Sequence, residues 1–162
     1  MTKSARDQAV SLLEFARWYS HGVLKGIPDD KYTFQPSKTD NHVSWVLGHL
    51  AGTEAWMAGV LKAGDLGVPK DIAEAYGMKS KPTSDVKHTP EQLRDDFEKA
   101  HAAFINWYKT ADEAALTQDL SAATNGFASD PIDAAQKIAW HEGFHMGQVA
   151  NVRKALALET FM

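Results

Sequence analysis

Apolar residues recur at spacings of three and four in four stretches of this chain, and no stretch alternates residue by residue as a half-buried strand would. The first stretch runs from about Ser4 to Lys25, with Ala9, Leu12, Leu13, Ala16, Ser20 and Leu24 on one face. Gly26 offers the left-handed position after a helix, Ile27 the apolar residue beyond it, and Pro28 blocks continuation. The second runs from about Asn41 to Ala63 behind an Asp40/Asn41 cap. Its stripe is Trp45, Val46, His49, Thr53, Trp56, Met57 and Val60, and Gly64 closes it. The third opens Thr89-Pro90-Glu91-Gln92, in which Thr89 caps, Pro90 takes the first helical position and Gln92 completes a capping box. Its inner face is Leu93, Phe97, Ala100, Phe104 and Trp107 or Tyr108. The fourth opens at Ser129-Asp130-Pro131 and runs to about Leu158, with Ile138, His141, His145, Gln148, Val149, Val152 and Leu156 on its inner face.

Four such helices predict an all-α four-helix bundle. The connections run roughly Ile27–Asp40, Gly64–His88 and Asp112–Ser129. The middle one holds Gly64, Gly67, Pro69, Gly77 and Pro82, with a short helical turn at Asp71–Tyr76. At ~3.3 Å per extended residue it can cross a helix of ~33 Å, so length allows a crossover between parallel neighbours without requiring one. No repeat, low-complexity tract or boundary divides the chain, so 1–162 reads as a single domain with a core of its own.

Charge and composition narrow the chemistry. With a net charge of −4 and no clustered Lys/Arg excess, nothing suggests a nucleic-acid footprint; the Arg153/Lys154 pair reads as a complement to a helix dipole. There is no cysteine, so disulfides, thiolate metal sites and cysteine nucleophiles are excluded, and any metal must use His, Asp or Glu. The start, MTKSARDQAV, lacks the apolar core of a secretory signal, and no apolar run reaches the ~18–20 residues that span a bilayer. A cytoplasmic protein with no membrane partner is expected.

The stretch Trp140-His141-Glu142-Gly143-Phe144-His145-Met146-Gly147-Gln148 is the most informative. Histidines four apart on a helix lie ~40° apart around its axis with Cβ atoms about 6 Å apart, so both can reach one metal ion at ~2.1 Å. Two imidazoles on an apolar inner face need a shared partner, and a metal supplies it. HEGFH is also the HExxH string of zinc proteases, whose glutamate is the general base. Here the position for a third His ligand is Asn151, the only downstream Glu is Glu159, and no substrate-aligning strand is visible, so the protease reading is set aside. The third ligand must come from another helix, and His49, flanked on its face by Trp45, Val46, Thr53 and Trp56, is the best placed.

Other residues have open roles. His101, between Phe97 and Phe104, reads as boundary packing before ligation. His42 suits a pocket mouth or a helix start, and His21 and His88 suit solvent near helix ends. The tryptophans read as core, with Trp45, Trp56 and Trp140 also able to shape a pocket that Thr53 and His101 line. Gln148 shares the ligand face, where it can orient a water or substrate group or bond another helix. Glu142, turned ~100° from His141, belongs at the site's edge or in solvent.

The chain resembles the DinB/YfiT-like family of small helical metalloproteins. Ser44-Trp45-Val46-Leu47-Gly48-His49-Leu50-Ala51-Gly52-Thr53-Glu54 is similar to its "W-x-x-x-H-hydrophobic-A-x-x-E" helix, and His141-Glu142-Gly143-Phe144-His145-Met146-Gly147-Gln148-Val149 to its "H-E-x-x-H-x-G-Q-hydrophobic" segment. Ile27-Pro28 followed by Tyr32–Pro36 resembles the usual first connection. The resemblance implies an up-down-down-up bundle and a His49/His141/His145 site for one divalent ion, zinc or nickel, with open positions for water. It also implies a homodimer, and for some relatives a thiol-dependent transferase or isomerase activity. A metal-dependent enzyme acting on a small-molecule substrate, activating a low-molecular-weight thiol or water, is therefore expected first. A non-catalytic metal or small-ligand binder of a stress response is the alternative.

Overall fold

The structure, a computed structural model, describes residues 3–161. Among the described residues there are six α-helices, one 3-10 turn at Asp29–Lys31 and no strand. Four helices are long: α1 (Ala5–Leu24), α2 (Val43–Leu61), α4 (Pro90–Thr110) and α6 (Pro131–Ala155). Two are short: α3 (Lys70–Tyr76) inside the middle connection and α5 (Glu113–Leu116) inside the last. None of them is long and apolar enough to cross a membrane.

The helices start where their cap residues say they should. Ser4 and Asp7 form a capping box on α1, Thr89 and Gln92 another on α4, and Asp130 accepts from the backbone of Asp133 at the start of α6. Gly26 takes φ 77° after α1, with Ile27 buried beside it. Helix α2 departs from expectation at both ends. Its cap is His42, whose Nδ1 accepts from Trp45 N at 3.0 Å, rather than Asp40 or Asn41. Lys62, at φ 55°, takes the left-handed closing position ahead of Gly64. Helix α6 ends at Ala155, three residues short of Leu158.

Helix α1 packs chiefly on α6 and α2 on α4, while α1–α4 and α2–α6 contacts close the ring. Contact order gives the directions. Glu14–Lys109 and His21–Glu98 run in opposite senses along α1 and α4. Trp45–His145 and His49–His141 do the same along α2 and α6. Arg17–Glu142 and Val23–Arg153 run in the same sense along α1 and α6. These are the senses an up-down-down-up bundle requires.

The core between the helices includes Leu13, Leu47, Met57, Leu93, Phe97, Phe104, Tyr108 and Met146. On α2 the buried face is centred on Val46, Leu47, Leu50, Glu54, Ala58 and Leu61, which rotates the stripe read from sequence toward the helix edge. The reason is enclosure: α2 is covered by α3, α4 and α6 at once, so it is apolar almost all round and its periodicity does not single out one face. Arg153, expected merely to face a helix dipole, reaches across to the Val23 and Lys25 carbonyls at the end of α1 and to the Glu159 carbonyl beyond α6.

Candidate metal centre

Because α2 and α6 run antiparallel, His49 faces His141 while Trp45 faces His145. The Nε2 atoms of His49 and His141 are 3.2 Å apart, and those of His145 and His141 are 3.0 Å apart. The second ring nitrogens of His49 and His145 have partners. His49 Nδ1–H donates to the Tyr76 carbonyl at 2.9 Å, and His145 Nδ1–H donates to Gln148 Oε1 at 3.0 Å. Asn41 Nδ2 donates to that same Gln148 oxygen at 3.1 Å, which fixes the amide's orientation. Trp45 stacks on His49 with ring centroids 4.6 Å apart and an interplanar angle of 14°, and its own Nε1–H donates to Ser80 Oγ. His141 Nδ1 is buried without a hydrogen-bond partner.

These partners decide where the lone pairs point. A carbonyl oxygen only accepts, so His49 and His145 carry their protons on Nδ1 and present bare Nε2 atoms to His141. The imidazoles are also held neutral. Burial, then His145 and His49, pushes His141 down to about 3. Burial, with help from His49 and against the Gln148 bond, pushes His145 down to about 4. Burial lowers His49 too, opposed by the Tyr76 carbonyl. A tetrahedral ion with ligands at ~2.1 Å sets their nitrogens ~3.4 Å apart, within a few tenths of an ångström of the separations found here.

A second group of side chains close enough to hold a metal ion is Glu54, His101 and Glu142. All three are buried, and Glu142 is only 1 % exposed, which corrects the expectation that it could stand in solvent. Arg17 Nε donates to Glu142 Oε1 at 3.0 Å, Ser20 Oγ donates to the same oxygen, and a second Arg17 nitrogen donates to the Phe97 carbonyl. The guanidinium lies 3.4 Å from the centre of the Phe97 ring. His101 Nδ1 is 2.6 Å from Glu54 Oε1 and its Nε2 is 3.2 Å from the Leu13 carbonyl. His101 is thus part of the deep core, not boundary packing. A narrow crevice lined by Leu50, Thr53, Glu54, Ile138, His141 and Glu142 lies between the two groups.

The family model of the DinB superfamily matches residues 12–149, a span that includes His49, His141 and His145 and most of the chain. The chain belongs to the DinB superfamily. Among curated proteins none matches it.

Within this DinB-superfamily fold the remaining candidates separate. Thr53 Oγ1 donates to the His49 carbonyl. Gln148 is a partner of His145 and of Asn41. His42 is a helix cap whose Nε2–H donates to the Thr83 carbonyl, so its role is at the helix start. His88, expected in solvent, lies between Tyr76 Oη and Asp71. The tryptophans are not all core: Trp18, Trp56 and Trp140 are 51 %, 45 % and 65 % exposed. Trp140 stacks on Phe144, whose ring meets His145, while Trp56 meets Phe127. Sequence reasoning missed Tyr76 and Asn41, which act on the histidines through a backbone carbonyl and a shared amide. Neither contact leaves a trace in residue spacing.

Proposed function

We propose that the protein holds one divalent metal ion, zinc or nickel, on the Nε2 atoms of His49, His141 and His145, and uses it to activate a low-molecular-weight thiol or water for reaction with a small-molecule substrate. The observation that carries this reading is the fixed convergence of lone pairs. Two imidazoles committed to their Nδ1 tautomers aim bare nitrogens at a third, 3.0 and 3.2 Å away. A cation at their meeting point satisfies all three at once.

A divalent ion with three neutral ligands keeps its full charge and open positions, and so supplies Lewis-acid activation of water or of a thiol. The chain's part is to prepare that place. Tyr76 and Gln148 orient the rings, Trp45 covers one face of His49, and the Trp140/Phe144 pair beside His145 offers a rim of apolar surface to a substrate. With no cysteine in the sequence, a reacting thiol comes from a cosubstrate. Support for a homodimer is the solvent-facing aromatic surface of Phe15 and Trp18 on α1 and of Trp140 and Phe144 on α6.

The Glu54/His101/Glu142 group fits a metal less well. Both ring nitrogens of His101 already face oxygen atoms, Nδ1 that of Glu54 and Nε2 that of the Leu13 carbonyl, so neither is aimed at a shared vacant point. The cluster instead sets Arg17 and His101 against the carboxylates of Glu54 and Glu142.

Metal analysis of untagged protein tests the reading. About one equivalent of zinc or nickel is expected in the wild type, and little in His49→Ala or His141→Ala variants that keep their helical circular dichroism. Metal-free wild type, or variants with unchanged content, would overturn it. Thiols offered with an electrophile such as chlorodinitrobenzene then separate enzyme from binder. Turnover abolished by chelation supports the transferase chemistry, and the absence of turnover with every thiol offered counts against it.

A further inference from the structure

The geometry points to the middle connection, and to Tyr76 above all, as the positioning device for His49: a glycine notch on α2 seats the Tyr76 ring so that its own carbonyl meets His49 Nδ1. This rests on the metal reading above, but its structural part stands on separate observations.

Glycine weakens a helix interior, so Gly48 and Gly52, four residues apart inside α2, need a reason. α3 provides one. A Cβ on Gly48 would lie 2.2 to 2.8 Å from atoms of the Tyr76 ring, and a Cβ on Gly52 would lie 3.3 Å from Ala73 Cα. The two glycines form a shallow groove that α3 fills. Gly48 is also the residue before His49, so the notch and the ligand are built by the same turn.

Further ties hold the segment in place. Tyr76 Oη is 3.2 Å from His88 Nδ1, and His88 Nε2 is 3.1 Å from Asp71 Oδ2, which links the end of the connection back to the start of α3. Trp45 Nε1–H donates to Ser80 Oγ at 2.8 Å, and His42 Nε2–H donates to the Thr83 carbonyl at 2.9 Å. Residues 42, 45 and 49 share one face of α2, and a side-chain N–H of each ends on the segment 76–83. The connection thus clamps the ligand-bearing face. Tyr76 is a positioning residue, because it acts only through His49: its carbonyl excludes the other tautomer and stops the ring from turning, so that Nε2 stays bare and aimed.

The test is a bump-and-hole pair read by zinc titration and by NMR of the His49 Nδ1–H proton in metal-free, 15N-labelled protein. Gly48→Ala should push the Tyr76 ring out, remove that proton signal by exchange with water, and weaken zinc binding roughly 10–100-fold. Gly48→Ala/Tyr76→Ala, which clears the space again and lets α3 settle back, should restore the signal and most of the affinity. Gly59→Ala, also in α2 but with nothing within 4 Å of the added Cβ, should change neither. The inference is overturned if Gly48→Ala keeps the signal and binds zinc like wild type, or if the double variant is no better than Gly48→Ala. If wild type takes up no zinc, the metal reading fails and the NMR arm alone decides whether Tyr76 sets the tautomer of His49.

Discussion

An imidazole has two nitrogens, and what each one touches decides what the ring can do. His49 and His145 each spend one nitrogen on an acceptor and keep the other bare, whereas His101 meets an acceptor on both sides. This difference separates the proposed ligand set from an ionic brace, although both lie within the same bundle. The brace depends on each member. Removing one partner of a buried ion pair leaves an uncompensated charge and costs about 3–5 kcal/mol. Glu142→Ala, which strips Arg17 of its closest carboxylate, should destabilise the protein by about that amount in denaturant unfolding. A loss below about 1 kcal/mol, the size of a single neutral hydrogen bond, would show that the pair is not acting as a buried ion pair. None of this was legible at Glu142 itself. The residue lies 100° off the His141 face, and its partners Arg17 and Ser20 are more than a hundred positions away, so only the fold brings them together.

At the scale of the helix, His42 is the unusual part, because a titratable ring serves as an N-cap. To accept from Trp45 N its Nδ1 must be unprotonated, and burial, opposed by the Thr83 carbonyl, lowers its pKa from the ordinary value of 6.5. The folded state therefore binds fewer protons than the unfolded state below about pH 6.5, and its stability falls as the pH drops from there toward the lowered pKa. Asparagine caps without titrating. In metal-free protein, His42→Asn should flatten the loss of stability between pH 6.5 and 5, by up to about 1.4 kcal/mol per pH unit. Parallel pH profiles of the two proteins would refute this assignment. Capping boxes and helix starts at Ser4, Thr89 and Asp130 were readable from sequence because a cap is a local contract over four residues. The inner face of α2 was not, since three neighbours cover it and leave no polar side to orient by. The His141/His145 pair was readable because a single helix fixes its spacing. His49 needed its apolar flanks and the family resemblance together.

Across the whole molecule, an ion held as proposed by His49 and the His141/His145 pair would join α2 to α6, His49 and His141 being 92 residues apart in sequence. An ion bound only by the folded state at 100 times its dissociation constant stabilises it by about 2.7 kcal/mol. For a chain of this length that is a rise in Tm of roughly 5–10 °C. Thermal unfolding with zinc and with chelator should show such a rise in the wild type and none in His141→Ala; an unmoved wild-type Tm would contradict a metal tie between these helices. The ionic brace of Arg17, Glu54, His101 and Glu142 takes one residue from each of the four long helices. Its consequence reaches beyond a single sequence. Any one replacement strands a charge, while replacing the whole set with well-packed apolar residues is energetically open, so the fitness path between those two cores passes through a valley. Lineages of this chain are therefore expected to keep all four residues or to exchange them together.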